Sequence, residues 1–231
     1  MEGKDRKVSE WDAPAPVPGR LVIPFGLVLL AIVLLALLVG AVTTSVIGIV
    51  FGALLMVAFL AWIWSRGRAA LKAVGARPLE DSHHRLRNLV EGLSRDLHIA
   101  APAIWVIEAA GPNALVSWAG GPHVVVTTGL VATYTRTELE AVVAHCLVRI
   151  ATGDVRRAVQ ATGLGPLSGR TVKEGRVQDL QTVSLTRYPP ALASAIRKAE
   201  PQGGGFGLLW FVGSPATHVP AEDRAAALLD L

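Results

Sequence analysis

The sequence predicts an α+β protein in which an N-terminal transmembrane helical hairpin precedes one mainly helical domain with a small β-sheet. Three observations carry that expectation. From Leu21 to Ser65 there is no Asp, Glu, Lys or Arg. Further on, short runs rich in β-branched residues sit between glycine- and proline-containing turns. Around them, apolar residues recur at helical spacing over several longer stretches.

The charge-free run comes first. A spanning helix needs about 20 apolar residues, and a single helix over the whole run would overshoot the hydrocarbon about twofold. Two spans are therefore expected, at 21–39 and 46–64, with the turn at the least apolar residues, Gly40 to Ser45. Trp62 and Trp64 stand where an interfacial aromatic belt would lie. Lys4, Arg6, Lys7 and Arg20 precede the run, and Arg66, Arg68 and Lys72 follow it. Positive charge at both ends of a hairpin places both termini in the cytoplasm, in a multi-pass protein of the cell membrane. A cleaved signal peptide fits poorly, because the run is too long and lacks a small-residue cleavage site after a short core.

Residues 1–20, with Pro14, Pro16 and Pro18, form a polar tail expected to be disordered. Residues 66–231 are long enough for one cytoplasmic domain with its own core. There are 22 Lys and Arg against 18 Asp and Glu, an excess suited to anionic headgroups beside the spans and not to a nucleic-acid surface. The lipid bilayer is thus the first partner expected. Cys146 is the single cysteine, which excludes an internal disulfide and a cysteine-based zinc cluster.

In the soluble part, Asp81–Leu97 has helical spacing of Leu86, Leu89, Val90, Leu93 and Leu97, with Asp81 or Ser82 as N-cap. Ile104–Ile107 reads as a strand, and Gly111-Pro112-Asn113 as a turn. Ala114–Trp118 and His123–Thr127 read as paired strands about Ala119-Gly120-Gly121-Pro122. Thr137 followed by Glu140 has capping-box spacing, ahead of an apolar stripe of Leu139, Val142, Val143, Cys146, Leu147 and Ile150 that Gly153 would end. Residues 160–172 read as a loop, Val172–Leu185 and Ala191–Glu200 as helices, and Pro201–Gly207 as a flexible linker. Trp210-Phe211-Val212 is a short apolar segment, and Glu222–Leu229 a last helix.

The order of certain motifs is specific. Asn113-Ala114-Leu115, then Val124-Val125-Val126-Thr127-Thr128-Gly129-Leu130, then Glu138-Leu139-Glu140-Ala141-Val142-Val143-Ala144-His145 resembles the heart of the HtpX-type (CAAX prenyl protease-like) integral-membrane zinc metallopeptidases. Asp154, Gln178-Asp179, Leu185 to Pro190, and His218-Val219-Pro220 with Glu222-Asp223-Arg224 continue the likeness, which covers about Ala76 to Leu231. The resemblance implies a zincin-like peptidase domain at a bacterial inner membrane, a role in proteolysis, and zinc held by His-Glu-x-x-His plus a later carboxylate.

Two His at i and i+4 share one helix face and can meet one Zn²⁺, while the intervening Glu takes a proton from the bound water. Here the motif reads His145-Cys146-Leu147-Val148-Arg149. By the resemblance His145 keeps the first ligand position, Cys146 replaces the base and Arg149 replaces the second ligand. Counting back from Asp179, the third-ligand position falls on Gly175, with Glu174 one residue out of step. A guanidinium has no lone pair to give, and catalytic zinc needs about three protein ligands.

The expectation is therefore a pseudopeptidase without zinc, in which Arg149 pairs with Asp154, Glu174 or Asp179. By the resemblance, the edge strand Asn113, Ala114, Leu115 and Val116 would bind an extended peptide, and a membrane-protein partner is the other expected ligand. Two alternatives stand beside it. One is an active zinc metalloendopeptidase with a rearranged site built on His145 and Glu174. The other is a structural subunit of a membrane complex, held through the hairpin and Leu208–Val212.

Overall fold

The computed structural model describes residues 19–42, 45–80, 83–164, 175–215 and 218–231. Residues 1–18 of the tail expected at 1–20, turn residues Thr43 and Thr44, caps Asp81 and Ser82, and Glu174 lie outside the described residues, while residues 19–20 already belong to the first helix. The chain is mostly helical, with one small mixed sheet.

Two apolar helices come first, α1 (Gly19–Val42) and α2 (Ser45–Ala73). Val46–Ala73 is long and apolar enough to cross a membrane, and the apolar part of α1 described, Gly26–Ala41, is shorter. The two helices pack through small residues. A Cβ at Gly48 would overlap the Gly40 backbone, and one at Gly52 would overlap the Ala36 side chain. This is small-xxx-small packing, which brings backbones into close approach. Leucines, valines and isoleucines on the outer faces stay exposed, among them Leu37, Leu38, Val46, Ile49 and Leu54.

The sheet has strand order β1 (Arg77–Pro78), β2 (Ala103–Ile107), β4 (Pro122–Thr127), β3 (Ala114–Trp118). β2 and β4 run parallel, with Trp105 opposite Val125, and the other pairs are antiparallel, with Leu115 opposite Val125 in β3/β4. α3 (His84–Asp96) packs by Leu86, Val90 and Leu93, and its N-cap is His83 without a side-chain bond, later than the Asp81 or Ser82 start expected. α4 (Thr128–Thr133) is capped by Thr127, whose hydroxyl accepts from Leu130 N.

α5 (Arg136–Ala151) is the central helix. Ala141 to Ile150 are buried without a break, so it is enclosed on all sides and not by a single stripe. Its capping box is Thr135 with Glu138, not Thr137 with Glu140. The spacing occurs twice in the sequence, and tertiary partners select the earlier pair: the Glu138 carboxylate also accepts from Ser194 and Lys198 on α8. Gly153, at φ +70, turns the chain between α5 and α6 in a conformation that a Cβ disfavours.

α6 (Asp154–Leu164) corrects the start of the loop expected at 160–172, since residues 160–164 are helical and bury Ala161 and Leu164, while 165–172 lie outside the described residues. α7 (Gly175–Thr186) and α8 (Pro189–Lys198) follow, the latter with proline in its first turn. Pro201–Gly207 is not a free linker. Gln202 N donates to Val212 O at 3.1 Å, Ser214 N donates to Gln202 O at 2.9 Å, and Gly207 opens a 3-10 turn to Leu209. α9 (Ala221–Leu229) closes the fold against α8.

Candidate functional site

α5 carries His145, Cys146 and Arg149 into the interior at 3 %, 1 % and 4 % exposure. His145 Nδ1 lies 3.3 Å from Asp179 Oδ1 and 3.4 Å from Thr182 Oγ1, both on α7. The Thr182 hydroxyl donates its proton to Gln178 O at 2.6 Å, so Nδ1 is the protonated nitrogen of the ring. Burial, then the Arg224 and Arg149 charges, hold the imidazole's pKa well below its ordinary value, and the ring is neutral. The Phe211 ring meets it edge to face at 5.1 Å.

Arg149 is fully engaged with its surroundings. Nε donates to Asp154 Oδ2 at 2.8 Å, Nη1 to Leu209 O and Trp210 O at 3.2 and 3.3 Å, and Nη2 to Leu208 O at 2.7 Å. Asp154 is itself the first residue of α6, where a carboxylate is favoured by the helix dipole. Asp179 does not pair with Arg149. Its two oxygens take Nε and Nη2 of Arg224 at 2.8 and 2.7 Å, and Arg224 Nη1 donates to Phe211 O at 2.9 Å. Arg224 had no assigned role in the sequence, although the Glu-x-Arg at 222–224 marked its neighbourhood.

Two buried guanidinium–carboxylate pairs thus grip the carbonyls of one strap, Leu208 to Phe211. The strap also closes the β3 edge. Phe211 N donates to Ala114 O at 2.7 Å, and Trp210 bridges antiparallel to Leu115. Asn113 Nδ2 donates to Glu200 O and Val212 O at 2.7 and 2.8 Å, while its Oδ1 accepts from Ala114 N and Val212 N. Beyond the strap the edge meets α2, with Ser117 Oγ donating to Gly67 O at 3.0 Å. Asn113, Ala114, Leu115 and Val116 are at most 1 % exposed. The open peptide-binding edge expected there is already filled by the chain itself.

The donor set does not suit zinc. Cys146, at the position that the sequence resemblance gives to the base, is buried, and burial pushes its thiol up to about 12 although Arg149 opposes the shift. Arg149 puts a permanent cation one helical turn from His145. Gly175 opens α7, and no group of three or more His, Cys, Asp and Glu able to hold a metal ion occurs among the described residues.

The chain is similar in sequence to known proteins. Residues 80–175 match peptidase family M48. The Protease HtpX homolog of Dictyoglomus thermophilum is 28 % identical over 226 residues, covering 68 % of this chain and 73 % of that protein. The Protease HtpX homolog of Tropheryma whipplei is 26 % identical over 230 residues, covering 71 % and 79 %. Protease HtpX of an Enterobacter species is 35 % identical over 144 residues, covering 58 % and 46 %. These matches support membership of the HtpX-type branch of peptidase family M48. In this chain α5 packs against β3, β4 and α7 and carries His145, Cys146 and Arg149.

Proposed function

We propose that this HtpX-type protein is a pseudopeptidase: a membrane-anchored, non-catalytic member of the family that holds a peptide or membrane-protein partner instead of cutting it. The observation that carries the reading is the Arg149 guanidinium, tied to Asp154 and to three strap carbonyls where a second zinc ligand would stand. One neutral imidazole beside such a cation is far from the three ligands that a catalytic zinc needs. The filled β3 edge favours a membrane-protein partner engaged through the hairpin over an extended peptide.

Membrane anchoring rests on the apolar α2 and on the exposed leucines of both helices, which water would drive to aggregate. The close packing of Gly40 on Gly48 and Ala36 on Gly52 supports a hairpin, and the basic flanks support cytoplasmic termini. Metal analysis of the purified full chain, paired with an assay on an unstructured protein, tests the catalytic part. Neither stoichiometric zinc nor cleavage is expected. One zinc per chain that disappears with His145→Ala, together with cleavage, would establish the rearranged metalloendopeptidase instead.

A further inference from the structure

Trp64, 81 % exposed, is the last aromatic residue on the apolar part of α2. Arg66 and Arg68 follow within about 6 Å along the axis, at 1.5 Å rise per residue. If α2 spans the bilayer as proposed above, both stand at headgroup depth.

The folded domain meets α2 at this same level. Gly67 lies so close to the Trp118 carbonyl that a Cβ there would overlap it, and Gly163 of α6 lies against Ile63, Arg66 and Trp62. The docking gathers three guanidiniums from two elements around one junction. The Arg66 guanidinium carbon lies 5.5 Å from the Trp62 ring centroid and 4.9 Å from that of Phe206. Its Nε is buried and has no hydrogen-bond partner. Arg156, exposed on α6, stacks 3.8 Å over the Trp118 ring. Arg68 reaches the neighbourhood of Gly120 in the turn that follows Trp118.

Among the described residues, none of these three arginines is paired with a carboxylate. Aromatic rings hold guanidiniums in place without neutralising them. The planar fork of an arginine matches phosphate oxygens.

We propose that Arg66, Arg68 and Arg156 form a phosphate-oxyanion site that takes the phosphodiester of an anionic lipid headgroup. The site joins the folded domain to the bilayer through a lipid as well as through α2. This inference rests on α2 being a span, so the two are tested separately. Resistance of the full chain to extraction from membranes by alkaline carbonate checks the span, and extraction would refute that reading alone.

Native mass spectrometry of the detergent-purified full chain, titrated with phosphatidylglycerol or phosphatidylcholine, checks the site. Retention of phosphatidylglycerol over phosphatidylcholine is expected. Arg66→Gln and Arg156→Gln should each weaken it roughly fivefold, as expected for one basic residue at a membrane surface. Arg197→Gln, on α8 and paired with Glu222, should leave it unchanged. Lipid-free unfolding midpoints of the variants separate lost binding from lost folding. Equal retention of the two lipids, or undiminished retention in both variants, overturns the proposal. Displacement by millimolar inorganic phosphate without preference for either lipid assigns the site to free phosphate and overturns the lipid assignment.

Discussion

At position 149 a guanidinium has taken over a connecting role at the centre of the fold. It joins α5, the start of α6 and the strap 208–210 through four hydrogen bonds, all from a side chain only 4 % exposed. Removing it would take the guanidinium from the buried Asp154 carboxylate and a donor from three carbonyls. Breaking a buried ion pair from one side typically costs about 3–5 kcal/mol. Arg149→Ala should therefore lower the unfolding free energy of the purified chain by that order, measured by denaturant titration in detergent. Arg149→Lys should recover only part of it, since one ammonium cannot reproduce the planar fork. A loss under about 1 kcal/mol for Arg149→Ala would contradict this role, because surface pairs are worth no more than that. The substitution itself was legible in the sequence, as was Asp154 among its candidate partners. The strap carbonyls were not, because they come from residues about 60 positions away and offer only backbone atoms, which leave no mark in the residue types.

Among the elements, α5 shows how packing chooses between two equally good local signals. Thr135/Glu138 and Thr137/Glu140 both have capping-box spacing, and only Glu138 reaches Ser194 and Lys198 on α8. Burial alone would raise the Glu138 pKa, but the hydrogen bonds from Lys198, Ser194 and Thr135 outweigh it and bring it down to about 2. A carboxyl with a depressed folded pKa stabilises the fold fully above its unfolded value, about 4.5, and loses that contribution as pH falls toward 2. The difference in unfolding free energy between the native chain and Glu138→Gln should be about 1–3 kcal/mol near neutral pH and shrink across this window. A difference independent of pH between 7 and 3 would show that the carboxylate charge plays no part. The same comparison explains why residues 160–164, expected to begin a loop, are helical. Gly163 and the polar residues around it resemble a turn in isolation, yet Gly163 is the position that lets α6 lie against Ile63, Arg66 and Trp62.

On the scale of the whole molecule, the apolar helices and the folded domain are joined by close contact and not by a tether. Gly67 against the Trp118 carbonyl, with the Ser117 bond beside it, makes α2 a wall of the domain that closes the far half of the β3 edge. Ile63, Ala70 and Leu71 of α2 are buried there. Gly67→Ala should push the two apart, because its Cβ meets backbone that cannot rotate away. Limited proteolysis of the full chain should then cut faster near Gly75-Ala76, while α5 stays protected. Cleavage rates equal to those of the native chain would show that the junction tolerates the extra methyl and is not closely packed.

The sequence by itself determined the apolar helices, the strand runs, the helix bearing His145, and the likeness to the HtpX-type family, because these depend on hydropathy, periodicity and residue order along the chain. It also placed one imidazole, one thiol and one guanidinium, at 145, 146 and 149, where the resemblance puts the zinc-binding motif. Only the tertiary structure decided that Asp179 belongs to Arg224, that Arg149 belongs to Asp154 and the strap, and that the β3 edge is occupied from within. Those outcomes depend on which of several like charges and backbone carbonyls come within about 3 Å of one another. Such distances arise from the packing of α5, α7, α9 and the strap, and no local pattern encodes them.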